Sequence, residues 1–232
     1  MTITAQARSF DQAAAGYAAN RPSYPPALFP AVEELAGRPL KGARVADVGA
    51  GTGLATALLH ARGAHVIAVE PGPAMTSQLR LRLPDVPLVL GDGNHLPLAS
   101  GSLDLLTYAQ AWHWTDPRTS VPEAVRVLRP GGALALWWND SDSTVAWTAG
   151  QDARLRRFFG AGTEEPDPMA RFRGLPPELG FVHRQMSWTR NVPLDTHLAN
   201  LASYLLTEVF PDGTAEERYR TSCAVLQVSA WG

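Results

Sequence analysis

Between residues 44 and 138 the apolar positions fall into short unbroken runs, separated by longer stretches of mixed polarity. The runs at 44–48, 65–69, 88–90, 103–108 and 133–138 are apolar nearly throughout. That pattern predicts strands covered on both faces. The stretches at 54–62, 73–82 and 118–128 predict helices between them. Strands alternating with helices in this way predict βαβ units and a parallel sheet.

Outside this region the rhythm changes. Residues 9–19 are alanine-rich and predict a helix. The run Arg21-Pro22-Ser23-Tyr24-Pro25-Pro26 breaks it, because proline lacks an N–H and restricts its neighbour. A second helix is expected over 26–36, with proline in its first turn. Beyond Asn139 the expected elements are a helix at 150–159, a Gly/Pro-rich loop at 160–180, a strand at 181–192, a helix at 195–207 and a last strand at 222–231. The chain thus divides into an N-terminal helical cap (1–40), an α/β core (41–140) and a lid and pocket region (141–232) of the same domain.

Composition narrows the classes. With 232 residues and 45% hydrophobic content, the chain can bury one sizeable core. The formal net charge of −2 argues against a broad basic surface and against a nucleic-acid partner. All the basic residues except Lys41 are arginine, which reads as a compositional bias. Cys223 is the only cysteine, so no intrachain disulfide is expected and a reducing cytoplasm fits. There is no apolar leader-like segment and no apolar run near the roughly 20 residues of a membrane span. The six histidines are scattered, without an H-x-x-x-H pair, so no metal is expected.

The candidate chemistry starts at VADVGAGTG, residues 45–53. Gly49, Gly51 and Gly53 follow a predicted strand and open a predicted helix, which bares backbone N–H groups at the carboxyl edge of a sheet. A dinucleotide loop reads G-x-G-x-x-G, and here Leu54 stands where its last glycine belongs. Asp47 would repel a pyrophosphate; it would attract an ammonium or orient the loop amides. A ligand with an amino-acid end and a nucleoside end suits the loop better. Glu70, ending the second strand, is placed to accept from both hydroxyls of a ribose. Asp92, after the third, is placed to accept from an adenine amino group, with the next backbone N–H near a ring nitrogen.

VADVGAGTG, AVEPG, GDGNHLPL, SLDLLTYAQAWHW and RVLRPGGALAL, taken in order, resemble the successive motifs of class I S-adenosylmethionine-dependent methyltransferases. They are most similar to the type 11 group. FDQAAAGYAANRPSYP at 10–25 resembles the N-terminal segment of trans-aconitate methyltransferase-like members. The resemblance implies a Rossmann-like α/β fold: a seven-stranded, mostly parallel sheet with helices on both faces. It implies S-adenosylmethionine as cofactor, S-adenosylhomocysteine as its product and methyl transfer to a small molecule, with secondary metabolism as the expected setting. By position it implies that Gly49, Gly51 and Gly53 line the methionine part, and that Asp47 supports the loop or its ammonium contact. Glu70 would hold the ribose and Asp92 the adenine. Tyr17 and Arg21 would close over the cofactor, with Arg21 against its carboxylate. Ala50, Pro71, Met75, Gly93, Asn94 and Ala109 complete the implied cofactor contacts.

The acceptor side is less specified. Ala111-Trp112-His113-Trp114 follows the fourth strand. Trp112 and Trp114 would shape an aromatic wall beside the sulfonium, and His113 would take a proton from the acceptor. The competing reading packs both indoles under the cap and leaves His113 a single hydrogen bond. Of Trp137 and Trp138, one is expected to face a helix layer and the other, taken as Trp138, the acceptor. The 198–204 stretch lacks the arginine of the trans-aconitate pattern, which favours a less charged acceptor. Non-methylating chemistry on the same cofactor, and a non-catalytic binding module, are the rival functions. The expected assembly is a monomer or homodimer.

Overall fold

The computed structural model describes residues 21–158, 172, 175, 180–201 and 214–228. The expected helix at 9–19, Tyr17 and most of the 160–180 loop lie outside them. Helix α1 (Leu28–Ala36) leads into β1 (Arg44–Val48), α2 (Leu54–His60), β2 (His65–Glu70), α3 (Pro73–Arg82), β3 (Leu88–Leu90) and β4 (Leu103–Ala109). A 3₁₀ turn at Trp112–Trp114 follows, then α4 (Pro117–Val127), β5 (Leu128–Ser141), α5 (Ala146–Phe158), β6 (Val182–Pro193), α6 (Leu194–Leu201) and β7 (Thr214–Gln227).

Seven strands form one sheet in the order β3-β2-β1-β4-β5-β7-β6. β1 pairs in parallel with β2 and with β4, β3 with β2, and β4 with β5. β7 runs antiparallel to both of its neighbours. The chain therefore steps outward from β1 to β3 and then crosses back to β4. Where the direction of winding reverses, the two flanking loops part and leave a crevice at the carboxyl ends of β1 and β4.

Both faces of the sheet are covered, which explains the unbroken apolar runs. One face packs Leu28, Phe29 and Val32 of α1 and Leu59 of α2 against Val45, Leu105 and Trp137. The other packs Val121, Ala124 and Val127 of α4 against Leu106, Leu134 and Trp138. Consecutive strand residues point to opposite faces. Trp137 accordingly meets Tyr24 and Phe29 edge-on at 6.0 and 6.4 Å, whereas Trp138 meets Phe172 at 5.1 Å. The part of the expected N-terminal cap that is described, α1, is one of the helices covering the sheet.

At the opposite, amino-terminal edge, Asp104 gathers Arg38, Arg44 and Arg129. Burial alone would raise its carboxyl. The hydrogen bonds from Arg44, Arg129 and Arg38 prevail and hold it well below the usual carboxylate range.

The C-terminal elements depart most from expectation. β7 begins at Thr214, not 222, and β5 extends over 14 residues. The polar stretch Glu216-Glu217-Arg218-Tyr219-Arg220 lacks the apolar signal of a strand. It is one because β5 and β6 pair with β7 on either side over Tyr219–Val225, and β6 continues the pairing to Thr214. The helix expected at 150–159 starts four residues earlier, at Ala146.

Candidate active site

The glycine loop is held from two directions. Gly49, Gly51 and Gly53 all take positive φ, at 68°, 57° and 83°. Gly49 donates its N–H to the Val69 carbonyl at 2.8 Å. A Cβ at Gly49 would stand 2.4 Å from Cβ of Ala111, so the loop presses against the segment after β4 and admits no side chain there. From the other side, the Glu70 carboxylate accepts the N–H of Gly51 on Oε2 at 2.8 Å and that of Gly72 on Oε1 at 2.9 Å. Glu70 thus ties the end of β2 to the loop after β1.

Asp47 is fully buried beneath this loop and does not line the cavity. The Thr56 hydroxyl donates to its Oδ2 at 2.6 Å and the Thr107 hydroxyl to its Oδ1 at 3.2 Å. Burial pushes its carboxyl up to about 6, with the two threonines pulling the other way and Glu70 adding a little. Asp47 thus ties β1 to α2 through Thr56 and to β4 through Thr107.

Asp92 shapes the next loop. Its Oδ1 accepts from the N–H of Asn94 at 2.7 Å and of His95 at 3.3 Å, which folds the backbone into an Asx turn at the cavity wall. A Cβ on Gly93 would lie 2.7 Å from Cγ2 of Thr115 and 2.8 Å from Cε1 of Tyr108, so the backbone passes flush over the tyrosine ring. Asn94 accepts on Oδ1 from the Asp116 N–H and the Thr119 hydroxyl, anchoring this loop to the start of α4.

These loops enclose a cavity of about 270 Å³ at the carboxyl edge of the sheet. Of the residues expected to hold the cofactor, Arg21, Gly49, Gly51, Glu70, Pro71, Met75, Asp92, Gly93, Asn94 and Ala109 line it. Ala50 lines a small adjoining cavity of about 50 Å³, and Gly53 caps α2 behind the loop. Sequence reasoning missed Gln110, which follows β4 and lines both spaces. Its φ of 57° is the one positive value among described non-glycine residues, and its N–H donates to the Trp137 carbonyl at 2.8 Å. A polar residue closing an apolar strand, the rule that singled out Glu70 and Asp92, was the available signal.

The aromatic segment is divided. His113 and Trp114 line the cavity. Trp112, 1% exposed, packs edge-on against Tyr108 at 4.8 Å and does not line it. Its residue number places it in the 3₁₀ turn, whose first side chain turns inward to the core. Trp138 is also core, 2% exposed, and does not line the cavity; its indole N–H donates to His113 Nδ1 at 3.3 Å. With Nδ1 accepting, a neutral His113 carries its proton on Nε2.

The cavity suits an adenosyl amino acid. It runs from the glycine loop, whose N–H groups at Gly49, Ala50, Gly51 and Gly53 are bonded within the protein rather than bared as the sequence suggested, past a carboxylate at the end of β2, to a second carboxylate beyond β3. The comparisons agree. Residues 46–136 match the model of a methyltransferase domain family. An uncharacterized methyltransferase of Mycobacterium tuberculosis is 41% identical over 182 residues, covering 78% of this chain and 70% of that protein. An uncharacterized methyltransferase of Schizosaccharomyces pombe is 31% identical over the same coverage. Among solved structures, a putative type II methyltransferase from Anaeromyxobacter dehalogenans superposes with a TM-score of 0.66 at 24% identity, over 90% of this chain and 98% of that one. Geranyl diphosphate C-methyltransferase from Streptomyces coelicolor, solved with S-adenosylhomocysteine, gives 0.53 at 15% identity, over 87% and 78%.

Sheet order and loop chemistry together define a Rossmann-like, cofactor-binding α/β protein. The chain belongs to the class I S-adenosylmethionine-dependent methyltransferases, in the type 11 group. It is an enzyme of methyl transfer, and S-adenosylmethionine is its cofactor. No described helix is long and apolar enough to cross a membrane.

Proposed function

We propose that this chain methylates a small molecule in the cytoplasm, without a nucleic-acid partner and as a monomer or homodimer. The observation that carries this reading is the cavity at the β1/β4 crevice, lined together by the glycine loop, Glu70, Asp92 and Gln110. The near-neutral charge balance supports a small acceptor over a polyanion.

The cofactor, when bound, supplies a methyl group on a positively charged sulfur, already activated for in-line displacement. The remaining task for the protein is to position two reactants and exclude water. Gly49 and Gly51 hold the methionine portion through backbone contact. Glu70 accepts from the ribose hydroxyls while staying bonded to the loop it steadies. Asp92 accepts from the adenine amino group. Arg21 is placed to meet the carboxylate. Trp114 presents an aromatic wall to the positive charge. His113, its Nδ1 occupied by Trp138, serves as a hydrogen-bond donor that orients what lies beside it.

The test is calorimetric titration of the full chain with S-adenosylmethionine, S-adenosylhomocysteine and NADH. Micromolar binding of both adenosyl compounds without NADH is expected, as is the gain of one methylene unit in the mass of a methylated acceptor. Binding of NADH alone would overturn the reading.

A further inference from the structure

A second cavity, of about 190 Å³, sits at the same edge of the sheet, one step along from the first. The two share Arg21 and Gln110 in their walls. The second is built where β5 ends, at Asn139 and Ser141, and where the antiparallel β7 begins, at Glu217 to Tyr219. Helix α5 closes it with Trp147, Thr148 and Gln151, and α6 with His197. None of these side chains is explained by cofactor binding.

Resting on the reading above, we infer that this cavity is the acceptor pocket, and that it takes a neutral hydroxylated molecule the size of a single ring. Size is the first argument. A cavity near 150 Å³ accommodates one benzene ring, so about 190 Å³ leaves room for a ring and a substituent.

Charge is the second. The buried carboxylate of Glu217 is fully engaged from within the protein. Its Oε1 meets His197 Nδ1 at 2.5 Å; its Oε2 accepts from Arg190 at 2.5 Å and from the Tyr219 hydroxyl at 2.8 Å. Burial raises this carboxyl, but those hydrogen bonds prevail and keep it below the ordinary glutamate range. The carboxylate is therefore ionised and balanced by Arg190, so the pocket does not call for a cationic ligand. The two arginines in the wall are engaged as well, Arg218 with Glu216 and Arg21, in the reading above, with the cofactor's carboxylate, so the pocket does not call for an anion either.

Hydrogen bonding is the third. Thr148 is 2% exposed, and its hydroxyl is buried with no hydrogen-bond partner. An unsatisfied buried hydroxyl in a cavity wall is the mark of a missing polar partner. Beside it, Gln151 has its Oε1 at 2.8 Å from His197 Nε2. That contact fixes the amide in the cavity wall. Thr148 and Gln151 lie three residues apart on α5, hence on one helical face. Together they hold a ligand hydroxyl, and the Arg190–Glu217–His197 chain is what positions Gln151. Trp147, edge-on to His197 at 5.6 Å, completes an apolar wall for the ring.

The experiment titrates phenol, benzoate and benzylamine by calorimetry into the full chain, with and without saturating S-adenosylhomocysteine. Phenol is expected to bind at least about tenfold more tightly than the two charged analogues. Thr148→Val and Gln151→Leu are each expected to weaken phenol by about tenfold, the loss of one hydrogen bond. S-adenosylhomocysteine affinity should be unchanged in both. Thr148→Val keeps the side-chain shape, so a fold defect in the leucine variant does not obscure the result. Absence of phenol binding, preference for either charged analogue, or equal phenol affinity in wild type and both variants overturns the inference. Failure of the wild type to bind S-adenosylhomocysteine overturns the cofactor reading instead, and the phenol series without it still decides the pocket.

Discussion

Replacing Glu70 by glutamine keeps the side chain's shape while removing its negative charge and one of its two acceptor oxygens. The native carboxylate accepts two backbone N–H groups, one on each oxygen, at 2.8 and 2.9 Å. Glutamine has one acceptor oxygen, and its amide nitrogen must face the other N–H. One of the two bonds is lost, and at 7% exposure little water is available to replace it. A hydrogen bond to a charged group contributes about 1.5–3 kcal/mol, and a buried donor left unpaired costs about 1–3 kcal/mol. Glu70→Gln is therefore expected to lower unfolding stability by about 2–4 kcal/mol in urea denaturation. It also weakens the anchorage of the glycine loop to the end of β2 and removes one acceptor oxygen at the cavity wall. Affinity for S-adenosylmethionine, read by calorimetry, should fall by about 10- to 100-fold, or about 1.4–2.8 kcal/mol. A folded variant that binds within about twofold of wild type would show that neither the tie nor the ribose contact operates.

Two other carboxylates test the electrostatics in opposite directions. Burial lifts Asp47 to about 6 from an ordinary 3.8, so the folded protein holds this proton more tightly than the unfolded chain. Its contribution to stability is intact below the unfolded value and is lost as the pH rises to about 6, a difference of about 3 kcal/mol. Asp47→Asn should therefore raise the thermal midpoint of the ligand-free protein at pH 8 and lose that advantage at pH 4; a gain independent of pH would contradict the assignment. Asp104, depressed by its arginines, behaves the other way, since its stability is present above the unfolded value and lost as the pH falls below about 4. Asp104→Ala leaves three guanidinium groups clustered and should cost about 2–4 kcal/mol in denaturant. Because Asp104 sits at the far edge of the sheet, cofactor affinity measured on the folded variant should stay at the wild-type value; a marked fall would refute that separation.

How far the chain announces itself depends on whether the signal is local. Strands β1 to β4, the helices between them and the loops at Gly49, Glu70 and Asp92 each lie within a few consecutive residues. Apolar runs and turn chemistry report such features directly. Strand β7 does not work this way. Its first half is charged, and it is a strand because β6 pairs with it from Thr214 and β5 joins on the other side from Tyr219. The segment Trp112-His113-Trp114 shows the same limit at the scale of one turn. Three neighbouring aromatic residues offer no period from which to tell which ones face the core, and the turn buries Trp112 while it leaves His113 and Trp114 at the cavity.

The amino-acid sequence by itself determined the α/β class, the methyltransferase family and the two carboxylates that line the cavity, Glu70 and Asp92, because each is written in contiguous residues whose chemistry survives in isolation. Only the tertiary structure decided that Asp47 lies beneath its loop, that Gln110 stands between two cavities, and that Thr148, Gln151, His197 and Glu217 converge on one of them. Those four residues come from α5, α6 and β7, up to 69 positions apart by their numbering (148 to 217). Their association has no local pattern to betray it. It is created when an antiparallel strand inserts beside β5 and carries Glu217 to the edge where the cofactor cavity opens.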